Sequence, residues 1–195
     1  MNHEIIAFLE RLYLKKPMMK ATMFCIAVLF LSACDGGGGN GSNNAVNPST
    51  IPEGLPPDPG EAGKLTVEGI DSDNDGVRDD IQRYIAIEYQ DSEKTRRVLT
   101  DMAKADQEFL VNADDKNKVL EATATQSKQN SCAFYIDPDE AHQKLKKLKA
   151  EILNTEERIR AWIKADSHLG GMAFSVPLME EWKNQCNFDP DQLEN

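Results

Sequence analysis

Five carboxylates crowd one ten-residue stretch, Asp71-Ser72-Asp73-Asn74-Asp75-Gly76-Val77-Arg78-Asp79-Asp80, and only Arg78 offsets them locally. Unpaired, they repel at neutral pH. The arrangement makes chemical sense around a hard cation. The spacing D-x-D-x-D-G points alternate side chains inward and puts glycine at the sharp bend, as an oxygen-ligand calcium loop does. Counting Asp71 as position one, Asp73 and Asp75 fall at three and five. Gly76 falls at six, where a positive φ is often needed. Val77 at seven would offer its backbone carbonyl, and Asp79 at nine would bind directly or through water. Position twelve is Gln82, where an EF-hand carries a bidentate glutamate. Asp80 is the nearest substitute for that ligand, or a cap for the helix that follows. The expected ligand set is therefore Asp71, Asp73, Asp75, Val77, Asp79 and Asp80 around one Ca2+. The alternative is an acidic Asn-Asp-Gly turn closed by a helix N-cap.

The segment before the loop, Lys64 to Ile70, contains no helical turn in its pattern, whereas an EF-hand has a helix on both sides. The loop, residues 71–82, resembles those of thrombospondin type 3 repeats and the EF-hand-like loops of bacterial surface proteins. The resemblance covers about a dozen of the 195 residues. It implies calcium binding and carries no activity with it.

The N-terminus reads as a targeting segment. Ala21 to Ala33 is apolar but for Thr22 and Ser32, and too short to span a bilayer. Lys15, Lys16 and Lys20 flank it, which is the signal-peptide form. The run ends in Leu31-Ser32-Ala33-Cys34. This resembles the lipobox of bacterial lipoproteins, and the resemblance implies removal of residues 1–33 and lipidation of Cys34. Met18 or Met19 are further candidate starts. Asp35 resembles the inner-membrane retention signal of enteric lipoproteins.

Of 22 basic and 33 acidic residues, the signal segment holds four and two. The remaining chain has 18 and 31, a net charge of −13. That field disfavours nucleic acid and anionic lipid surfaces and favours cations or basic partners. Of the four cysteines, Cys25 leaves with the signal and Cys34 takes the lipid. Cys132 and Cys186 remain in an oxidising compartment, which favours their pairing.

Residues 34–62 form the lipidated cysteine and a linker rich in glycine, asparagine and proline. With little to bury, the linker is expected to be disordered. As a coil it would reach on the order of 30 Å. Residues 63–195 are expected to form one all-α domain with the loop at its entry. Ile81, Tyr84 and Ile85 mark a first helix to about Gln90. A second opens at Asp91 or Ser92, with Val98, Met102, Ala105 and Phe109 as its buried stripe. A weaker helix runs through Val119 and Leu120, with a polar run from Thr123 to Asn130. Cys132 to Ile136 reads as a short, extended apolar stretch. Asp137-Pro138-Asp139-Glu140 reads as a helix start. Ala141, Leu145, Leu148 and Ile152 give that helix its inner stripe, with Lys144, Lys146, Lys147 and Lys149 on a solvated face. Asn154 or Thr155 caps the next helix, whose core face is Ile159, Trp162 and Ile163. Gly170-Gly171 ends it. Ser175 and Pro177 open a last helix carrying Leu178, Met179 and Trp182, which delivers Cys186.

Motifs for catalysis are absent. Asp166-Ser167-His168 names triad residue types, but adjacent in sequence, where a working triad assembles from separate elements. No phosphate loop, dinucleotide fingerprint or H-E-x-x-H occurs. The preferred expectation is a membrane-tethered, non-enzymatic calcium-binding lipoprotein that binds an envelope protein or polymer. The other is a hydrolase or inhibitor with acidic residues in a cleft. Two convergent carboxylates in a deep pocket would favour the second, and a conspicuous apolar patch would favour partner binding.

Overall fold

A computed structural model describes Pro52 and residues 54–194. The signal segment, Cys34 and the linker up to residue 51 lie outside the described residues. Those described are all-α, with five α-helices and no strand: α1 (Asp79–Glu88), α2 (Glu93–Val111), α3 (Lys116–Ile136), α4 (Ala141–Ile152) and α5 (Glu156–Ser167). Short 3-10 turns cover Gly60–Lys64, Met179–Gln185 and Pro190–Gln192. No described helix is long and apolar enough to cross a membrane.

Helix α2 is the centre and touches all four other helices. Ser92 caps it by accepting the Thr95 N–H, and Glu93 complements the dipole of its first turn. Val98, Met102, Ala105 and Phe109 are all buried, as the spacing predicts. With Leu99, Leu110, Ile81, Ile85, Cys132, Leu148 and Ile152 they fill most of the interior. Phe109 and Trp162, with ring centroids 4.4 Å apart, lead a second cluster with Val119, Ala122 and Ala165.

Helix α3 departs from the sequence expectation. Its polar run is helical throughout, and Thr123, Thr125 and, just after the run, Ser131 satisfy their hydroxyls on the carbonyls of Val119, Glu121 and Ser127. Cys132 to Ile136 is not extended but forms the last turn of this helix. The stop comes from Pro138, which disfavours the α region for the residue before it; Asp137 sits at φ −147° and ψ 83°. Asp137 caps the following turn by accepting the Glu140 N–H, so α4 begins later than Asp137-Pro138 predicts, at Ala141.

Helix α5 is capped by Thr155, whose Oγ accepts the Arg158 N–H. Its inward face is Arg158, Ala161, Trp162 and Ala165, and Ile163 lies outside it. The face is rotated because Arg158 is drawn in by backbone carbonyls, as described below. Lys149 also leaves its expected solvated face. It pairs with buried Asp106 at 2.7 Å and lies 3.4 Å from the centre of the Trp162 ring. Desolvation pulls the Lys149 ammonium below its usual range, and Asp106 partly restores it. The last segment is a 3-10 turn rather than an α-helix, with Leu178 and Met179 exposed. It still delivers Cys186 to Cys132, with S–S 2.02 Å and Cα–Cα 5.0 Å.

Candidate cation-binding loop

Two arginines position the loop. Arg158, fully buried, donates from Nη2 to the carbonyls of Gly63 (2.6 Å) and Thr66 (3.1 Å) and from Nε to that of Val67 (3.2 Å). Its Nη1 donates to Asn154 Oδ1. Arg158 thus ties the incoming chain to α5. Burial and the neighbouring Arg78 charge lower its guanidinium to about 10. Arg78, equally buried, forms a bidentate pair with Asp80 at 2.9 and 3.0 Å and reaches the Ile152 carbonyl at 3.2 Å. The chain passes both arginine side chains at Gly69, where φ is +68°.

The loop closes where the Asp79 N–H donates to the Ile70 carbonyl at 2.8 Å. Asp79 Oδ1 accepts both the N–H and the hydroxyl of Ser72. Within the loop, the N–H of Gly76 donates to Asp71 Oδ2 at 2.9 Å, and that of Val77 to Asp75 Oδ1 at 2.8 Å. The Asp75 N–H lies 3.2 Å from both Asp71 Oδ1 and Asp73 Oδ1. Asn74 and Gly76 adopt φ of 57° and 89°, the left-handed turns that aim these amides inward. Buried Val77 pins the end of the loop to the core.

The outcome is a cluster of carboxylates. Asp71, Asp73 and Asp75 each offer an oxygen, and the three lie within 4.8 Å of one another. This group has the geometry to hold a metal ion. Lys104 brings an ammonium to 3.9 Å from Asp75 and is itself partly exposed. Gln82, at position twelve, donates from Nε2 to Asp73 Oδ2 at 3.2 Å and holds that carboxyl below its usual range. The other amide atom, Oε1, is buried with no hydrogen-bond partner.

The other expected ligands are placed differently. Asp79 is buried and serves Ser72 at the loop base. Asp80 is held by Arg78 and, at 3.3 Å, by the Asn154 amide. Neither stands in the group of three. Gln82 replaces them beside the cluster, and its position in the loop count is the sequence signal for it.

Asp80 yields a pH prediction. Burial raises its pKa, but the hydrogen bonds and charge of Arg78 outweigh this and leave it below the ordinary value. A depressed carboxylate contributes stability that is present above its unfolded pKa of about 4 and lost as pH falls through the folded value. We expect Asp80→Asn to cost roughly 1–3 kcal/mol at pH 7, since Arg78 loses a charged acceptor. Urea melts from pH 7 to pH 2 should show wild type and variant converging below about pH 4.

Elsewhere, Asp91, Ser92, Thr95, Asp137 and Lys144 line an open groove. Lys144 bonds to Asp137 at 2.5 Å and holds its carboxyl below the usual range, the reverse of what a proton donor needs. Of the triad residue types, Ser167 donates its hydroxyl to the Lys164 carbonyl, and His168 Nε2 lies 3.2 Å from the Ala113 carbonyl. Both serve the end of α5. No protein-family model, curated protein or solved structure matches this chain.

Proposed function

We propose that this protein is a calcium-binding module, lipid-tethered in a bacterial cell envelope, whose task is binding or scaffolding rather than catalysis. The observation that carries the cation reading is the convergence of Asp71, Asp73 and Asp75, with the Gln82 amide resting on Asp73. Amide carbonyls and carboxylates are the oxygen donors calcium takes, at about 2.3–2.6 Å, so opposite ligands lie about 5 Å apart. Rotating the Gln82 amide by half a turn exchanges its Nε2 and Oε1. The oxygen would then face the ion, and the nitrogen's present hydrogen bond to Asp73 would be given up. Magnesium demands a tighter octahedron and releases water reluctantly, so it fits such a loop less well. Neutral Gln82 in place of a bidentate carboxylate makes this a site of modest affinity, suited to an extracellular module.

The tether rests on Leu31-Ser32-Ala33-Cys34 after a short apolar run. Mass spectrometry of the mature N-terminus should find an acylated Cys34; an intact signal segment would refute the anchor. For the loop, calorimetry should give one calcium per chain. Gln82→Glu should tighten it at least tenfold by adding a charged ligand, and Asp73→Ala should abolish it. Equal heats for all three proteins would remove the loop from the account.

A further inference from the structure

One cation beside the acidic loop comes from outside it. Lys104, in the middle of α2, brings its Nζ to 3.9 Å from Asp75 Oδ2. Its stem lies over the bend of the loop, where a Cβ on Gly76 would stand 3.8 Å from Lys104 Cγ and 3.9 Å from Cδ. The oxygens of Asp71, Asp73 and Asp75 lie within 4.8 Å of one another. A calcium ion held among them at about 2.3–2.6 Å from Asp75 stands only a few ångströms from that ammonium. Two positive centres so close repel, even where water reaches both. The ion and Lys104 therefore compete for one carboxylate.

Helix α2 supplies a second position for the lysine. Asp101 lies three residues before Lys104, so the two side chains are neighbours on the helix surface. Long side chains on a helix lean toward its N-terminus, which aims the Lys104 stem at the turn that carries Asp101. Among the described residues, Asp101 Oδ2 is buried with no hydrogen-bond partner. Arg97 approaches it only to 3.8 Å, and the guanidinium lies over the Phe188 ring. Burial pushes the Asp101 carboxyl above its ordinary value, against the pull of Arg97, a hydrogen bond from Asn187 and the Lys104 charge. Asp101 is thus a carboxylate short of counter-charge, one turn from the lysine.

We propose that Lys104 is the built-in competitor of the calcium loop: it holds Asp75 in the absence of a divalent cation and swings back one turn to Asp101 when the ion binds. This rests on the calcium reading of the loop and adds the element that sets its affinity. Displacing the ammonium from Asp75 weakens calcium binding. Receiving it at Asp101 offsets part of that loss. Two residues of α2 that touch no ion thereby tune the site, Lys104 against binding and Asp101 in favour of it. The link also reaches beyond the loop. Asp101 is braced by Asn187, which lies between Cys186 and Phe188 in the C-terminal segment.

Calorimetry on the full-length chain, with calcium chloride as the probe at one fixed ionic strength, tests this in a double-mutant cycle. Lys104→Met should bind calcium roughly threefold tighter or more than wild type. Its melt in chelator should stay close to wild type, because the lysine is partly exposed. Asp101→Asn should weaken binding by a similar factor in the wild-type background and leave it unchanged in Lys104→Met. That second comparison separates the switch from a plain field effect, since a distant negative charge would attract calcium in both backgrounds. Equal affinities for wild type and Lys104→Met would overturn the proposal and leave the calcium site standing. So would an Asp101→Asn loss that persists in Lys104→Met. If Asp101→Asn does not fold, Lys104→Met against wild type decides alone. No heat of binding from either wild type or Lys104→Met would remove the calcium site itself, and the competitor with it.

Discussion

Replacing Gly69 with alanine should destabilise the domain by roughly 3–5 kcal/mol, a large share of any small domain's stability. Two costs add. The left-handed φ of +68° is unfavourable for any residue with a Cβ. That Cβ would also stand 2.5 Å from Arg78 Cδ, 2.8 Å from Arg158 Nη2 and 3.2 Å from the Gly63 carbonyl. Neither arginine can yield cheaply, because each guanidinium is buried and held by several acceptors. Gly171→Ala is the control. Its φ is +78°, but nothing lies within 4 Å of the added Cβ. It should cost only the conformational term, about 1–2 kcal/mol. Denaturant melts of both variants read the difference. Equal losses would mean that the arginine pair does not fix the loop entry.

The Cys132→Ala, Cys186→Ala double variant should lose about 4 kcal/mol in the loop-entropy model, since the bond closes 54 residues of sequence. For a domain of this size that corresponds to roughly 10–15 °C in Tm. The loss should be uneven. Cys132 is fully buried in the core, whereas the C-terminal segment it tethers is mostly exposed. Its remaining attachments include Trp182 against Phe134, with ring centroids 6.0 Å apart, Phe188 beneath Arg97, buried Pro190, and the Tyr135 hydroxyl on Asp191. Hydrogen exchange should therefore speed up first in residues 179–192, with α2 protected until global unfolding. A variant that melts like wild type would make the bridge incidental to stability.

The sequence makes some of this legible and hides the rest for identifiable reasons. Helix α2 can be read because a clean apolar stripe, a Ser92 cap and the absence of glycine or proline agree. Helix α3 cannot, because Thr123, Thr125 and Ser131 satisfy their hydroxyls on their own helix, which spacing does not display. Apolar spacing misplaces the register of α5 at Ile163 because the residue that turns the face inward is Arg158. A buried arginine held by backbone carbonyls has no hydrophobic signature. In the loop, the D-x-D-x-D-G spacing identifies Asp71, Asp73 and Asp75. It does not reveal that Ser72 takes Asp79, or that Arg78 takes Asp80. Both competitors come from within the loop itself, where only geometry decides between a metal ligand and a hydrogen-bond acceptor.

The proposed calcium site in the acidic loop would help hold the domain together. The most direct measurement is the melting temperature of the wild-type chain, with chelator and then with increasing calcium, beside Asp73→Ala. A ligand that binds only the folded loop stabilises by mass action. At a hundredfold excess over Kd this amounts to about 2.7 kcal/mol, or several degrees. Tm should climb with calcium in the wild type, climb less with magnesium, and stay flat in Asp73→Ala. A wild-type Tm that does not move up to millimolar calcium would contradict the account and leave Asp71, Asp73 and Asp75 as an acidic turn.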